Sequence, residues 1–170
     1  MSALLRKAAV IPVLIFLISC GKDGNPFTRD SDLVSFDYDN FKKKRSGWEE
    51  LGIHSYSYTY TFRGFGCWSV RNTVKSDTVY SSVPDSLECP LHGHGDPCTI
   101  DEVFQMIEDR YEDPYLDKVS FNTYFYCSEI KIEYDSLYFF PKEFEFVYEG
   151  KNMEVTDTEN MQVLKDFEPE

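Results

Sequence analysis

The sequence predicts an α+β domain: an antiparallel sheet of about six strands with two helices packed on one face, in the order helix, three strands, helix, three strands. Three observations carry this. Residues 55–63 alternate hydroxyl and aromatic side chains without a break. Residues 99–111 open with a capping box and continue as an apolar stripe of helical period. The remaining patterned stretches are short strands in groups, with few helices between them. That is the pattern of an antiparallel sheet covered on one side.

The first helix falls between Phe36 and Gly52. Phe41, Trp48 and Leu51 share one face at offsets 0, 7 and 10. Gly52 is a helix stop, and Gly47 weakens the pattern from inside. Lys42-Lys43-Lys44-Arg45 is the only basic block. It is short for an interaction tail and reads as the wet side of this helix.

In the first strand, Tyr56, Tyr58, Tyr60 and Phe62 point one way, and Ser55, Ser57, Thr59 and Thr61 the other. The pattern is that of a strand half buried and half wet, with the aromatic ladder as the core face. Gly64-Phe65-Gly66 turns the chain. Cys67 to Lys75 and Thr78 to Ser82 are two more strands, joined around Ser76-Asp77. Residues 83–98 form a loop rich in Pro, Gly and Asp. Thr99 and Glu102 form the capping box of the second helix. Its stripe is Ile100, Val103, Phe104, Ile107 and Tyr111, and Asp113-Pro114 ends it. Three strands follow, at Val119 to Tyr126, around Ile130 to Asp135, and around Glu143 to Tyr148. The tail from Gly150 is acidic and weakly patterned.

The chain has 170 residues, 17 Lys+Arg against 30 Asp+Glu, and a formal charge of −13. That length suits one domain, here residues 36–170, plus a short extra segment. So acidic a surface excludes nucleic acid as a partner, because phosphate binding needs clustered cations.

The segment at 1–19 reads as an address. Arg6 and Lys7 form a basic start, and Ala8 to Ile18 an apolar run of 11 residues interrupted by Pro12. The run is too short to span a bilayer and fits the core of a secretory signal. It ends at Leu17-Ile18-Ser19-Cys20, which resembles the bacterial lipobox. The resemblance implies acylation of Cys20, with palmitate among the chains, and an anchor on a membrane. Residues 20–35 then form a flexible polar tether. A chain starting at Cys20 carries 15 cations against 30 anions, or −15.

Four cysteines remain: Cys67, Cys89, Cys98 and Cys127. An even set in an exported chain favours disulfides, with three possible pairings. Cys89–Cys98 with Cys67–Cys127 is preferred, since local closure costs little loop entropy. As a thiol, Cys98 would lie beside a helix N-terminus and be reactive. The loop between Cys89 and Cys98 also holds His92, His94 and Asp96, donors suited to Zn²⁺ or Cu. Two histidines one residue apart are a weak signal, so no metal and no cofactor is favoured. No nucleophile-elbow, zinc-protease or phosphate-loop motif occurs, and the expectation is a protein without catalytic activity.

Trp48-x-x-x-Gly52-Ile53-x-x-Tyr56-x-Tyr58-x-Tyr60 resembles the opening of an uncharacterised bacterial domain family found mainly in exported lipoproteins. Thr99 to Phe104 looks like that family's central helix start. Tyr134-Asp135-Ser136-Leu137-Tyr138-Phe139-Phe140-Pro141 looks like its late Y-D-P-x-Y-G-Y-P segment. Ser136 and Phe139 stand where that segment has Pro and Gly, which implies a different turn. The resemblance covers about Trp48 to Phe167 and implies the fold unit and export. It carries no activity or site residues.

Taken together, the expected protein is a lipid-anchored, disulfide-stapled binding module outside the cytoplasm in the bacterial cell envelope. Its partners are the membrane and an envelope protein. The expected contact regions are the Cys89–Cys98 loop and an exposed hydroxyl face of the Tyr56–Phe62 strand. The alternatives are a metal-binding lipoprotein using His92, His94 and Asp96, and an exported inhibitor.

Overall fold

The computed structural model describes residues 34–64, 66–85, 98–115, 125–150 and 161–170. They form two helices and six strands: α1 (Tyr38–Leu51), β1 (Tyr56–Arg63), β2 (Cys67–Lys75), β3 (Thr78–Pro84), α2 (Ile100–Glu112), β4 (Phe125–Tyr134), β5 (Pro141–Gly150) and β6 (Met161–Pro169). The sheet order is β3-β2-β1-β6-β5-β4, and every neighbouring pair is antiparallel.

Both helices are closed by their own sequence. Asp37 accepts from the Asn40 amide at the start of α1, and Gly52 ends it in the left-handed region at φ 60°. The Thr99–Glu102 capping box is complete, with bonds of 3.1 and 2.6 Å. Such a cap stabilises a helix by about 1 kcal/mol. Of the expected α1 face, Phe41 and Trp48 are buried, whereas Leu51 in the last turn is exposed.

The core is aromatic and polar-tipped. Tyr56, Tyr58 and Tyr60 are all buried. A buried phenol needs a partner for its hydroxyl. Tyr56 accepts from the Ile100 amide (2.9 Å), Tyr58 donates to the Cys98 carbonyl, and Tyr60 donates to Gln162. The ladder therefore holds the start of α2 with two hydroxyls and β6 with the third. Trp48 meets Tyr56, Phe140 and Phe167 edge-on, and Phe41 meets Phe104, which closes α1 over α2.

The structure corrects four sequence expectations. The tail contains β6, and β6 lies in the middle of the sheet between β1 and β5. Tyr126 and Ile130 to Tyr134 belong to one strand, β4, with an irregularity between Cys127 and Glu129 that shifts the side-chain phase. The rest of the strand expected from Val119 lies outside the described residues. The hydroxyl face of β1 is not an open surface, since Thr59 and Thr61 are buried. Arg71 on β2 reaches across Ser57 and Thr59 to the Asp166 carbonyl and the Glu168 carboxylate on β6, and Thr61 bonds Ser69 at 2.9 Å. Finally, β2 and β4 stand four places apart in the sheet. At ~4.8 Å per strand that is about 19 Å, beyond the reach of a Cys67–Cys127 bridge.

Residues 34 and 35, expected in the flexible tether, are docked on the domain. Val34 is buried in the core, and Ser35 makes a parallel bridge to β4 through Ser35 N–Ser128 O (2.8 Å) and Ile130 N–Ser35 O (3.0 Å). The basic block of α1 is tied within the domain. Lys42 pairs with Asp39, Lys44 lies over Phe139 and Tyr134, and Arg45 joins Glu49 and Glu108.

The β4–β5 turn is set by Asp135 and Phe139. Asp135 accepts from the amides of Leu137 and Tyr138, and Phe139 takes a left-handed φ of 66°. For an aromatic residue that conformation is strained, by roughly 1–3 kcal/mol. The Phe139 ring lies on Gly47, where an added Cβ would stand 2.9 Å from its Cδ2. The glycine that seemed a flaw in α1 is the space the ring occupies.

Two predictions follow from this packing. Leu164→Ala, at a fully buried site on β6, should lose about 2–5 kcal/mol in chemical denaturation. Gly47→Ala should lower Tm in the native chain although Ala favours helix by about 1 kcal/mol. In a Phe139→Gly background the same change should raise Tm.

Candidate functional site

A cleft of about 210 Å³ opens where the end of α1, the β2–β3 turn and the start of α2 meet. It is lined by Trp48, Glu49, Gly52, Ile53, His54, Asp77 and Asp101.

Each lining group is placed by a local rule. Trp48 faces the core from α1, so only its indole edge reaches the cleft. Asp101 is the second residue of α2, and its carboxylate accepts the Trp48 indole N–H at 3.1 Å. Asp77 sits in a two-residue turn whose residues both have positive φ, Ser76 at 49° and Asp77 at 60°. Such a turn matches the twist of a hairpin. The turn is tied back to the chain ahead of β1, with Asp77 N on the His54 carbonyl (3.0 Å) and Ser76 N on the Ser55 hydroxyl (3.3 Å). His54 Nδ1 then lies 3.0 and 2.9 Å from the two Asp77 oxygens.

The electrostatics are those of crowded anions. Burial pushes the Asp101 carboxyl above its ordinary range, and the charges of Asp77 and Glu49 push the same way. The Trp48 hydrogen bond and the Arg45 charge oppose them. The His54–Asp77 pair is exposed, at 66% and 54%, so it adds at most about 1 kcal/mol. The carboxylates of the cleft can accept hydrogen bonds from a ligand. Among the described residues no hydroxyl or thiol is hydrogen-bonded to His54, so no activated nucleophile is assembled there.

The residues singled out from the sequence lie elsewhere. Cys20, Cys89, His92, His94 and Asp96 fall outside the described residues. Cys67 heads β2, and Cys127 lies on β4, four strand places away. Cys127 is fully buried and donates its Sγ–H to the Glu129 carbonyl at 3.4 Å. Cys98 is 7% exposed, with Sγ 3.4 Å from the Tyr58 hydroxyl. That burial removes the access a reactive thiol needs. Among the described residues no three His, Cys, Asp or Glu side chains converge to hold a metal, and no helix is long and apolar enough to cross a membrane.

The His54–Asp77 pair escaped the sequence reading. Its signal lay in the first hairpin. The register sets Arg63 opposite Cys67 and Tyr56 opposite Val74. Carrying it two residues further brings position 54 beside the Ser76-Asp77 turn.

Comparison with family models, curated proteins and solved structures returned no match.

The raised Asp101 pKa gives a signed prediction. A carboxyl whose folded pKa exceeds its unfolded value contributes stability below the unfolded pKa of about 3.8, and that contribution is lost as pH rises through the folded pKa. Asp101→Asn removes this dependence and keeps the acceptor for Trp48. The stability of Asp101→Asn relative to the native chain should therefore be more favourable at pH 7 than at pH 3 in paired thermal melts.

Proposed function

We propose that this chain is a lipid-anchored binding module of the bacterial cell envelope, without catalytic activity. Its α+β domain has both helices over the tyrosine face of the sheet. The observation that carries the reading is the order of the first 35 residues: a basic start, an 11-residue apolar run, Leu17-Ile18-Ser19-Cys20, and a polar stretch leading to the domain. The docking of Val34 and Ser35 supports it by marking where the tether ends and the domain begins. The resemblance to the exported lipoprotein family points the same way. The helix contacts of Trp48, Phe41 and Ile100 with β1 and with each other support the one-sided packing.

The module acts by contact. The partner proposed is an envelope protein, met through the Cys89–Cys98 loop and the cleft of Trp48, His54, Asp77 and Asp101. No nucleic acid takes part: the chain is strongly acidic, and Lys42, Lys44, Arg45 and Arg71 are engaged by carboxylates and rings of the same domain.

Metabolic labelling with an alkyne palmitate should mark the native chain and place it in the membrane fraction. Cys20→Ala should lose both the label and the membrane retention. A native chain that takes no label, or a variant that keeps it, would sink the anchor. In-cell crosslinking of the native chain should recover one reproducible envelope protein.

A further inference from the structure

The two edges of the sheet differ. The β4 edge is closed by the chain itself, through the bridge from Ser35, and it carries Glu129, Lys131 and Glu133. The β3 edge is open: among the described residues no segment pairs with its outer side. Natural edge strands are commonly blunted by charge. Yet β3 is the one strand of the six described without a charged side chain, in a chain of which 28% of residues are charged. It also holds Tyr80 and Val83, which are 72% and 59% exposed.

The pairing with β2 fixes which backbone groups of β3 are open. The Asp85 amide bonds the Ser69 carbonyl, and Val83 and Ser81 stand opposite Arg71 and Thr73. Backbone groups alternate sides along an antiparallel strand. Ser81, Val83 and Asp85 therefore turn theirs to β2, and Ser82 and Pro84 turn theirs outward. Pro84 has no N–H to leave unmet there. Below Ser81 the register steps to Val79, skipping Tyr80. The open stretch is Tyr80 to Pro84, with Ser82 at its centre.

A second copy of β3 fits this stretch. Turned about a two-fold axis at Ser82, the strand sets Ser82 opposite Ser82, Ser81 opposite Val83, and the exposed Tyr80 opposite Pro84. No like charges meet, which matters between two copies of net charge −13. The nearest charges are opposite in sign. Lys75 lies 4.7 Å over the Tyr80 ring and Asp85 follows Pro84, so each copy's Lys75 is brought toward the other's Asp85. We propose that β3 is a self-association edge: two copies of this chain pair β3 against β3 about Ser82, in the isologous manner of a two-fold dimer. Their sheets join into one, six strands from each copy. This pairing is independent of the membrane anchor and of the envelope partner.

The test uses the native chain in detergent micelles and substitutions at Ser82, which is exposed. Sedimentation equilibrium should give a protein mass of two chains that falls to one on dilution. In Ser82→Lys two ammonium groups face each other on the axis, and the dimer dissociation constant should rise at least about tenfold. Ser82→Cys sets two thiols on a hydrogen-bonded pair with Cα atoms about 5.5 Å apart, which suits a disulfide. Mild oxidation should then link two copies at position 82, read by mass spectrometry of the joined peptides. Thr78→Cys, whose thiols would stand roughly 26 Å apart, should not link. A native chain of single-copy mass at every concentration overturns the proposal. So does a dimer unmoved by Ser82→Lys, or oxidation that links Thr78→Cys as readily as Ser82→Cys. A different protein joined to Ser82→Cys in place of a second copy overturns it too. If Ser82→Lys does not fold, the native mass and the Ser82→Cys linkage decide.

Discussion

The pairing of β1 with β6 is the joint on which the rest of the structure hangs. On one side of it stand β2 and β3, on the other β5 and β4. The registered β5–β6 pairing spans only Glu143–Val163 to Glu145–Met161, whereas β1–β6 runs from Tyr56–Pro169 to Arg63–Met161. The joint is fastened on both faces. Inside, Tyr60 bonds Gln162, and Leu164 is fully buried. Outside, Arg71 spans three strands and holds the irregular segment at Asp166, whose φ is 52°. Hydrogen bonds to charged groups are the stronger kind, and this guanidinium makes several at once.

The second organising feature is that hydroxyls steer an apolar core. Packing alone tolerates many arrangements of rings of similar volume. Tyr56, Tyr58 and Tyr60 each add one directional bond, two at the start of α2 and one on β6. The two at α2 fix where the helix starts on the sheet, while its own capping box closes it. Across the helices, Glu108 takes both the Tyr38 hydroxyl and the Arg45 guanidinium at 2.7 Å. A chain of such net negative charge spends its few cations as ties inside the domain.

Much of this was legible in the sequence, where local rules decide. The tyrosine alternation, the Thr99–Glu102 box, the Ile100 to Ile107 stripe and the Gly52 stop all express periodicity or capping, which act within a few residues. What stayed hidden depends on long-range pairing. In β6 the inward phase holds Gln162 and Leu164 while apolar Val163 faces outward, and the bulge at Asp166 changes phase so that Phe167 turns in. Polar inward, apolar outward and a phase change erase the alternation that marks a strand. The buried state of Thr59 could not be seen because Arg71, twelve residues on and on the next strand, roofs it. The cleft was hidden for a related reason: His54 and Asp77 are 23 residues apart and meet only once the hairpin has formed.

The place of β6 also bears on how the chain can be made and moved. Of the elements described, it is the last to be synthesised, and it is the one that unites the two halves of the sheet. Until it emerges, β1 lacks its central neighbour, Tyr60 lacks the acceptor for its hydroxyl, and Leu164 is missing from the core. Non-local strand pairing of this kind is slow to form because long loops must close first. For a protein proposed to thread through a membrane channel before it folds, that delay keeps the chain in a form the channel can pass.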